Sequence, residues 1–103
     1  MISFGEIIKK ARKDNNLILR RVGNELDIDK AILSKFERGE RNPTKEQVEK
    51  FANFYRLNKD ELVIAWLSDK ITYNLKNEKL AEEALKVAEQ KIKYQRTIKS
   101  NIK

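Results

Sequence analysis

The chain has 103 residues and carries 23 Lys or Arg against 16 Asp or Glu, which gives a net charge of +7. That length allows one small domain with a tail or one extra helix, and the basic excess favours a polyanionic partner, either nucleic acid or an anionic membrane surface. Because the chain has no Cys, no His and no apolar run near the ~20 residues of a membrane span, we expect a cytoplasmic protein without enzymatic activity, metal, cofactor or membrane partner.

Helix-capping signals predict a chain that is almost wholly helical. Residues 3–6 and 44–47 read as capping boxes, and residues 58–61 repeat the device. Apolar side chains at helical spacing follow each of them, and another short helix is predicted from about Leu19 to Leu26. Trp66 either closes the core or projects towards a partner. In the fifth helix we expect apolar side chains to be mostly buried, namely Leu62, Ile64, Ala65 and Leu67.

The most informative segment is the short helix predicted from about Lys30 to Arg38. Asp29 can cap its start, and Gly39 supplies a stop. Its apolar side chains form a single inward stripe, whereas the opposite face carries small and basic residues. That outer face consists of Lys30, Ala31, Ser34, Lys35 and Arg38. A short helix that is buried on one side and small and basic on the other suits the major groove of DNA.

The pattern changes after residue 67. Residues 68–75 alternate in polarity, which fits either an extended connector or the continuation of a helix, and a long helix is predicted from Asn77 to about Tyr94. Residues 95–103 are polar and basic, and we expect them to fray. The long helix has a narrow, alanine-rich apolar stripe formed by Leu80, Ala84, Leu85, Ala88 and Ile92.

Residues Phe4–Leu67 resemble the helix-turn-helix domain of the phage repressor/Cro-like (Xre) transcription factors. The resemblance is carried by L-R-R-V-G-N-E-L at residues 19–26 and I-D-K-A-I-L-S-K-F-E-R-G-E-R-N-P-T at residues 28–44. It implies an all-α fold, in which residues 1–67 form a compact five-helix lambda-repressor-like DNA-binding bundle. Residues 68–103 then add a connector and a C-terminal helix. The chain departs from the family pattern in four places: Ile18 and Leu19 replace the usual hydroxyl cap and Gln, Gly23 replaces a small Ala, and Asp27 replaces the turn Gly.

The resemblance also assigns roles to individual side chains. The third helix becomes the recognition helix, and its base-contact candidates are Lys30, Ala31, Ser34 and Lys35. The phosphate-contact candidates are Arg20, Arg21, Arg38, Arg41 and Asn42. Arg12 and Glu37 are expected to form a partly buried structural ion pair. The alternative is that the lysines merely solvate an exposed helix and that the other cations are ordinary surface charges.

The C-terminal stripe has two interpretations. It packs across a two-fold axis to make a homodimer, or it covers the fifth helix within one chain. We expect a transcriptional regulator that binds a pseudo-palindromic site in double-stranded DNA, of the restriction-modification controller or phage-repressor type. The alternative from another class is an antitoxin or adaptor that binds a partner protein through residues 68–103.

Overall fold

The computed structural model describes residues 2–102, with side chains described through residue 99, and over this range every regular element is a helix. The six helices are α1 (Phe4–Asp14), α2 (Leu19–Leu26), α3 (Lys30–Arg38), α4 (Lys45–Tyr55), α5 (Lys59–Leu75) and α6 (Ala81–Ile102). The prediction of an all-α fold is therefore confirmed. None of the helices in the described part of the chain is both long and apolar enough to span a membrane.

The helix starts follow the capping signals of the sequence. Ser3 accepts a hydrogen bond from the Glu6 backbone N–H at 3.2 Å, and the Glu6 carboxylate accepts one from the Ser3 backbone N–H in return. Thr44 and Gln47 make the same reciprocal pair at the start of α4. Ile18 makes no side-chain cap for α2. The Asn58 side chain accepts a hydrogen bond from the Glu61 backbone N–H at 2.9 Å at the start of α5. The three longest bundle helices thus begin where local chemistry satisfies their first backbone donors.

The bundle is built around Phe51, which is fully buried. Its ring packs edge-on against Phe4 and Phe36, with centroids 5.7 and 6.3 Å away, and it stacks on Tyr55. α1 packs against α3 and α4, and α2 packs against α3. The core therefore draws on the first, third and fourth helices at once, so the position of α3 is fixed by apolar packing rather than by its own propensity.

α5 contributes fewer core residues than we predicted. Leu62 and Trp66 are buried, but Ile64 and Leu67 are 64% and 46% exposed, so the expectation that they are mostly buried was wrong. The physical reason is that only one side of a helix can face the bundle, and Leu62 and Trp66, four residues apart, occupy that side. The Trp66 indole N–H also donates to the backbone carbonyl of Pro43 at 3.0 Å, which ties α5 to the loop after α3.

The segment after residue 67 is helical rather than extended. α5 continues to Leu75, and the first compact unit of the chain ends at residue 72, five residues beyond the predicted boundary. In this extension the Asp69 carboxylate accepts a hydrogen bond from the Phe4 backbone N–H at 2.8 Å. This bond holds the extended α5 against the start of α1.

The second unit begins at Tyr73 and contains α6. α6 starts at Ala81 rather than Asn77, because residues 76–80 form a turn and the Leu80 carbonyl accepts the first helical bond, from the Ala84 N–H. The helix passes the predicted end at Tyr94 and continues to Ile102. Basic side chains in its last turns interact favourably with the helix dipole, which supports this extension. The prediction that residues 95–103 fray therefore concerns a segment that is helical as far as Ile102, and Lys103 lies outside the described residues.

Candidate nucleic-acid interface

The turn between α2 and α3 depends on two residues that depart from the family pattern. Asp27 ends α2 in the left-handed conformation, with φ 56° and ψ 48°, which Asp adopts more readily than most residues other than Gly. The Ile28 backbone N–H then donates to the Gly23 carbonyl at 2.8 Å. A Cβ on Gly23 would lie 2.6 Å from the Ile28 carbonyl oxygen. Glycine at this position therefore allows a closer approach of turn and helix than alanine does.

α3 separates an anchored face from an exposed face. Leu33, Phe36 and Glu37 are buried, and the Asp29 carboxylate caps the first turn by accepting from the Ala31 and Ile32 backbone N–H groups. The base-contact candidates lie on the other side. Lys30, Ala31 and Lys35 are exposed, and Ser34 is half-buried. The helix thus presents two ammonium groups, a methyl and a hydroxyl to solvent within its first two turns.

The Arg12–Glu37 ion pair implied by the resemblance is present in the structure. Arg12 Nε and Nη2 donate to the two Glu37 carboxylate oxygens at 2.8 and 3.0 Å, and Nη1 donates to the Leu17 carbonyl at 3.0 Å. The side chains are only 13% and 4% exposed. The hydrogen bond to Glu37 raises the pKa of Arg12, against the opposing effect of burial. The pair fastens α1 to α3 and keeps the Glu37 charge away from the exposed face.

Tyr55 lies beside this pair on α4. Its hydroxyl is buried and has no hydrogen-bond partner among the described residues. Burial, and secondly the negative charge of Glu37, raise the pKa of Tyr55 to about 12, although Arg12 acts in the opposite direction. The hydroxyl therefore stays protonated well above the ordinary tyrosine range.

The phosphate-contact candidates occupy both ends of the helix-turn-helix unit. Arg20 and Arg21 are exposed in the first turn of α2, and Arg21 Nε lies 3.5 Å from a Glu25 carboxylate oxygen. Arg41 and Asn42 are exposed in the loop after α3. That loop is anchored by buried Pro43 through its bond to Trp66, a support that the sequence interpretation did not identify.

Arg38 makes contacts that the sequence did not predict. Its Nε and Nη2 donate to the Glu40 carboxylate at 2.6 and 3.3 Å, and its Nη1 donates to the Ser34 hydroxyl at 3.0 Å. The structure therefore brings one base-contact candidate and one phosphate-contact candidate into direct contact. Because Arg38 and Glu40 are each about half exposed, their ion pair contributes little stability and a phosphate can displace the carboxylate.

The five C-terminal stripe residues lie in the second unit, apart from the helix-turn-helix residues. Leu80 precedes α6, and the other four lie on its first four turns. The sequence interpretation missed three further exposed apolar side chains on the same helix, namely Val87, Tyr94 and Ile98. The signal was available as the heptad spacing of residues 80, 84, 87, 91, 94 and 98, but Lys91 interrupts it. We define the α6 apolar face as residues 80, 81, 84, 85, 87, 88, 91, 92, 94 and 98.

Comparison with known proteins adds one match. A protein-family model described as Helix-turn-helix matches residues 8–62, which is more than half of the chain and spans α1 to the first turn of α5. None of the curated proteins matches the sequence. The matched region contains all eleven residues to which base-contact, phosphate-contact or ion-pair roles were assigned.

Proposed function

The chain belongs to the Xre/Cro/lambda-repressor-like helix-turn-helix family of DNA-binding transcriptional regulators, and we propose that it binds a pseudo-palindromic operator in double-stranded DNA as a homodimer. The observation that carries this proposal is the exposed face of α3, which joins Lys30, Ala31, Ser34 and Lys35 on a helix anchored by its opposite side. The proposed role is that of a phage-type repressor or a restriction-modification controller that occupies a promoter.

The chemistry of the α3 face suits base reading in the major groove. Lysine donates to the O6 and N7 atoms of guanine, the Ser34 hydroxyl can donate or accept, and the Ala31 methyl can contact the methyl group of thymine. Lys35 supports this role most clearly, because its side chain is exposed one turn along the same face as Ala31. We therefore propose that Lys35 contributes to sequence discrimination rather than only to charge.

The flanking cations supply the contacts that set register. Arg20 and Arg21 lie at the start of α2, and Arg41 and Asn42 lie after the end of α3, so phosphates on either side of a groove can be bound at once. Arg38 joins them when a phosphate replaces Glu40. Each neutralised phosphate releases counterions, so this part of the binding should depend strongly on salt concentration.

Dimerisation explains how a nine-residue reading helix reaches useful affinity. One such helix reads only a few base pairs, whereas two copies related by a two-fold axis read half-sites ~34–36 Å apart. The support for a dimer is the exposed α6 apolar face, in which Leu85 and Ile92 are 43% and 52% exposed. A helix with such a stripe is stabilised when a partner covers it.

Selection of bound duplexes from a random library, followed by affinity and salt titrations, tests the proposal. We expect an inverted repeat whose half-sites are about one helical turn apart. Lys35→Ala should weaken binding to the selected site by ~1–3 kcal/mol, or roughly 5- to 150-fold, and leave non-specific binding nearly unchanged. Lys9→Ala, which removes an exposed lysine from α1, is the control for net charge.

Two results would count against the proposal in different ways. Equal loss of specific and non-specific affinity in Lys35→Ala would make Lys35 a phosphate contact only. No enrichment of any sequence, with only weak salt-sensitive binding, would reject operator recognition and direct attention to a protein partner for residues 68–103.

A further inference from the structure

The α6 apolar face is wide, exposed and regular along the helix. Its six large side chains, from Leu80 to Ile98, are 41–67% exposed. They follow two adjacent rows at heptad spacing, one through residues 80, 84, 87, 91, 94 and 98 and the other through residues 81, 85, 88 and 92. A shallow groove runs between Val87, Gln90, Lys91, Tyr94, Gln95 and Ile98. Such a surface fits another helix laid along it.

Charge is distributed unevenly along α6. Residues 81–90 contain three glutamates and one lysine, whereas residues 91–99 contain three lysines and an arginine but no acidic residue. Two copies in parallel would place like charges beside each other, and two antiparallel copies would place the acidic half beside the basic half. An acidic start and a basic end also stabilise the dipole of a single helix, so the charge distribution alone does not establish how two helices are oriented. The apolar face provides independent evidence for the orientation.

The small side chains of the apolar face are confined to its first half. Ala81, Ala84 and Ala88 all lie there, whereas large side chains occur in both halves, Leu80, Leu85 and Val87 in the first and Ile92, Tyr94 and Ile98 in the second. In a parallel pair each residue lies opposite its own copy, so alanine would face alanine and leave a gap. An antiparallel pair sets small residues against large ones, which fills the space between the helices.

We infer that α6 pairs with α6 of a second copy in antiparallel orientation, with the two-fold axis between Glu89 and Gln90. The inference rests on the homodimer in the proposed function and specifies its interface. With 3.6 residues per turn, this register brings both rows of the α6 apolar face into contact with the partner helix. It places Ala81 opposite the partner's Ile98, Leu85 beside the partner's Ile92, Val87 beside the partner's Tyr94, and Glu82 beside the partner's Arg96.

Lys91 discriminates most sharply between the two orientations. It lies in the middle of the apolar face, one turn after Val87. In a parallel pair, Lys91 would face the partner's Lys91 across the interface, and like charges in such a position oppose association. In the antiparallel pair it faces the partner's Ala88, which leaves room for its aliphatic stem while the ammonium reaches solvent.

The antiparallel arrangement also has a consequence for DNA binding. The two copies of Ala81 lie about 25 Å apart along the pair, because each is opposite residue 98 of the other chain and each residue adds ~1.5 Å. The two chains therefore enter the pair at opposite ends, so the two DNA-binding regions are connected to opposite ends of it.

Disulfide cross-linking tests the orientation directly, because the chain has no cysteine of its own. Sedimentation first establishes whether the full chain is a dimer at the concentrations used for operator binding. Chains carrying Ala84→Cys and chains carrying Gln95→Cys are then oxidised separately and after mixing. We expect cross-linking only in the mixture, since each Ala84 lies opposite the partner's Gln95 and two Ala84 residues are too far apart for a disulfide. Lys86→Cys and Lys93→Cys, on the polar face, form the matched pair that should not cross-link.

Charge exchange provides a second measurement that does not depend on disulfide geometry. Glu82→Lys should weaken dimerisation roughly 2- to 30-fold, because two exposed ion pairs are lost per dimer, and adding Arg96→Glu should restore it. Efficient cross-linking of Ala84→Cys chains alone would establish a parallel pair and overturn the inference while leaving the regulator's homodimer intact. A dimer insensitive to both tests would place its interface elsewhere, and a monomer would remove both the inference and the proposed homodimer.

Discussion

The buried ion pair between Arg12 and Glu37 is the contact whose loss should most affect the position of the recognition helix. Arg12→Met keeps most of the aliphatic stem but removes the guanidinium, so Glu37, whose side chain is 4% exposed, loses both of its charge-assisted hydrogen bonds. The Leu17 carbonyl loses its donor as well. Removing one partner of a buried pair costs ~3–5 kcal/mol. For a small bundle at ~4–8 °C per kcal/mol, the melting temperature should fall by roughly 12–40 °C.

Thermal unfolding followed by circular dichroism measures this loss, and operator binding below the transition shows whether α3 is still presented correctly. Lys10→Met is the matched control, because Lys10 and Asp14 form an exposed pair that should contribute less than ~1 kcal/mol. The double variant Arg12→Met/Glu37→Met should recover most of the stability, since it leaves no unpaired buried charge. An Arg12→Met variant as stable as Lys10→Met would contradict a large contribution of the buried ion pair to stability. A double variant no more stable than Arg12→Met would contradict the claim that the unpaired Glu37 charge causes the loss.

The remaining predictions concern a buried hydroxyl, a close backbone contact and a surface ion pair. The pKa of Tyr55 is raised to about 12 in the folded chain, so between pH ~10 and 12 the unfolded chain loses the phenolic proton and the folded chain keeps it. We therefore expect the free energy of unfolding to fall by ~2–3 kcal/mol as pH rises from 10 to 12. Tyr55→Phe should remove this loss in alkaline urea titrations. Gly23→Ala should destabilise the bundle by ~1–3 kcal/mol in urea, because its Cβ would lie 2.6 Å from the Ile28 carbonyl oxygen. Glu40→Gln should release Arg38, raise non-specific DNA affinity and steepen its salt dependence by about one counterion.

Each of these predictions has a clear contrary result. Identical alkaline stability profiles for the wild type and Tyr55→Phe would mean that ionisation of Tyr55 does not contribute to the loss. A gain of ~1 kcal/mol in Gly23→Ala would mean that alanine's helix propensity outweighs the close contact. An unchanged salt slope in Glu40→Gln would show that Arg38 makes no phosphate contact.

Features that depend on neighbouring residues could be predicted from the amino-acid sequence alone. The capping boxes at Ser3 and Thr44 and the Asp29 cap fixed where α1, α4 and α3 begin, because a helix start depends on side chains within three residues of it. The apolar spacing of Leu33 and Phe36 likewise defined which face of α3 is buried. The all-α fold and the family resemblance follow from such local patterns, and the family match agrees with them.

Contacts between residues that are distant in sequence could not be predicted in this way, because they depend on how the helices pack. Ile64 and Leu67 are exposed because the side of α5 that carries Leu62 and Trp66 faces the bundle, with Val63 and Ala65 partly buried at its edges, and the apolar composition of α5 does not specify which side that is. The bond from Trp66 to Pro43 and the contact between Gly23 and Ile28 depend on how closely backbones approach after packing. The spacing of apolar residues identifies which face of a helix is apolar. Whether that face is buried depends on the rest of the chain, because burial requires a second surface that packs against it.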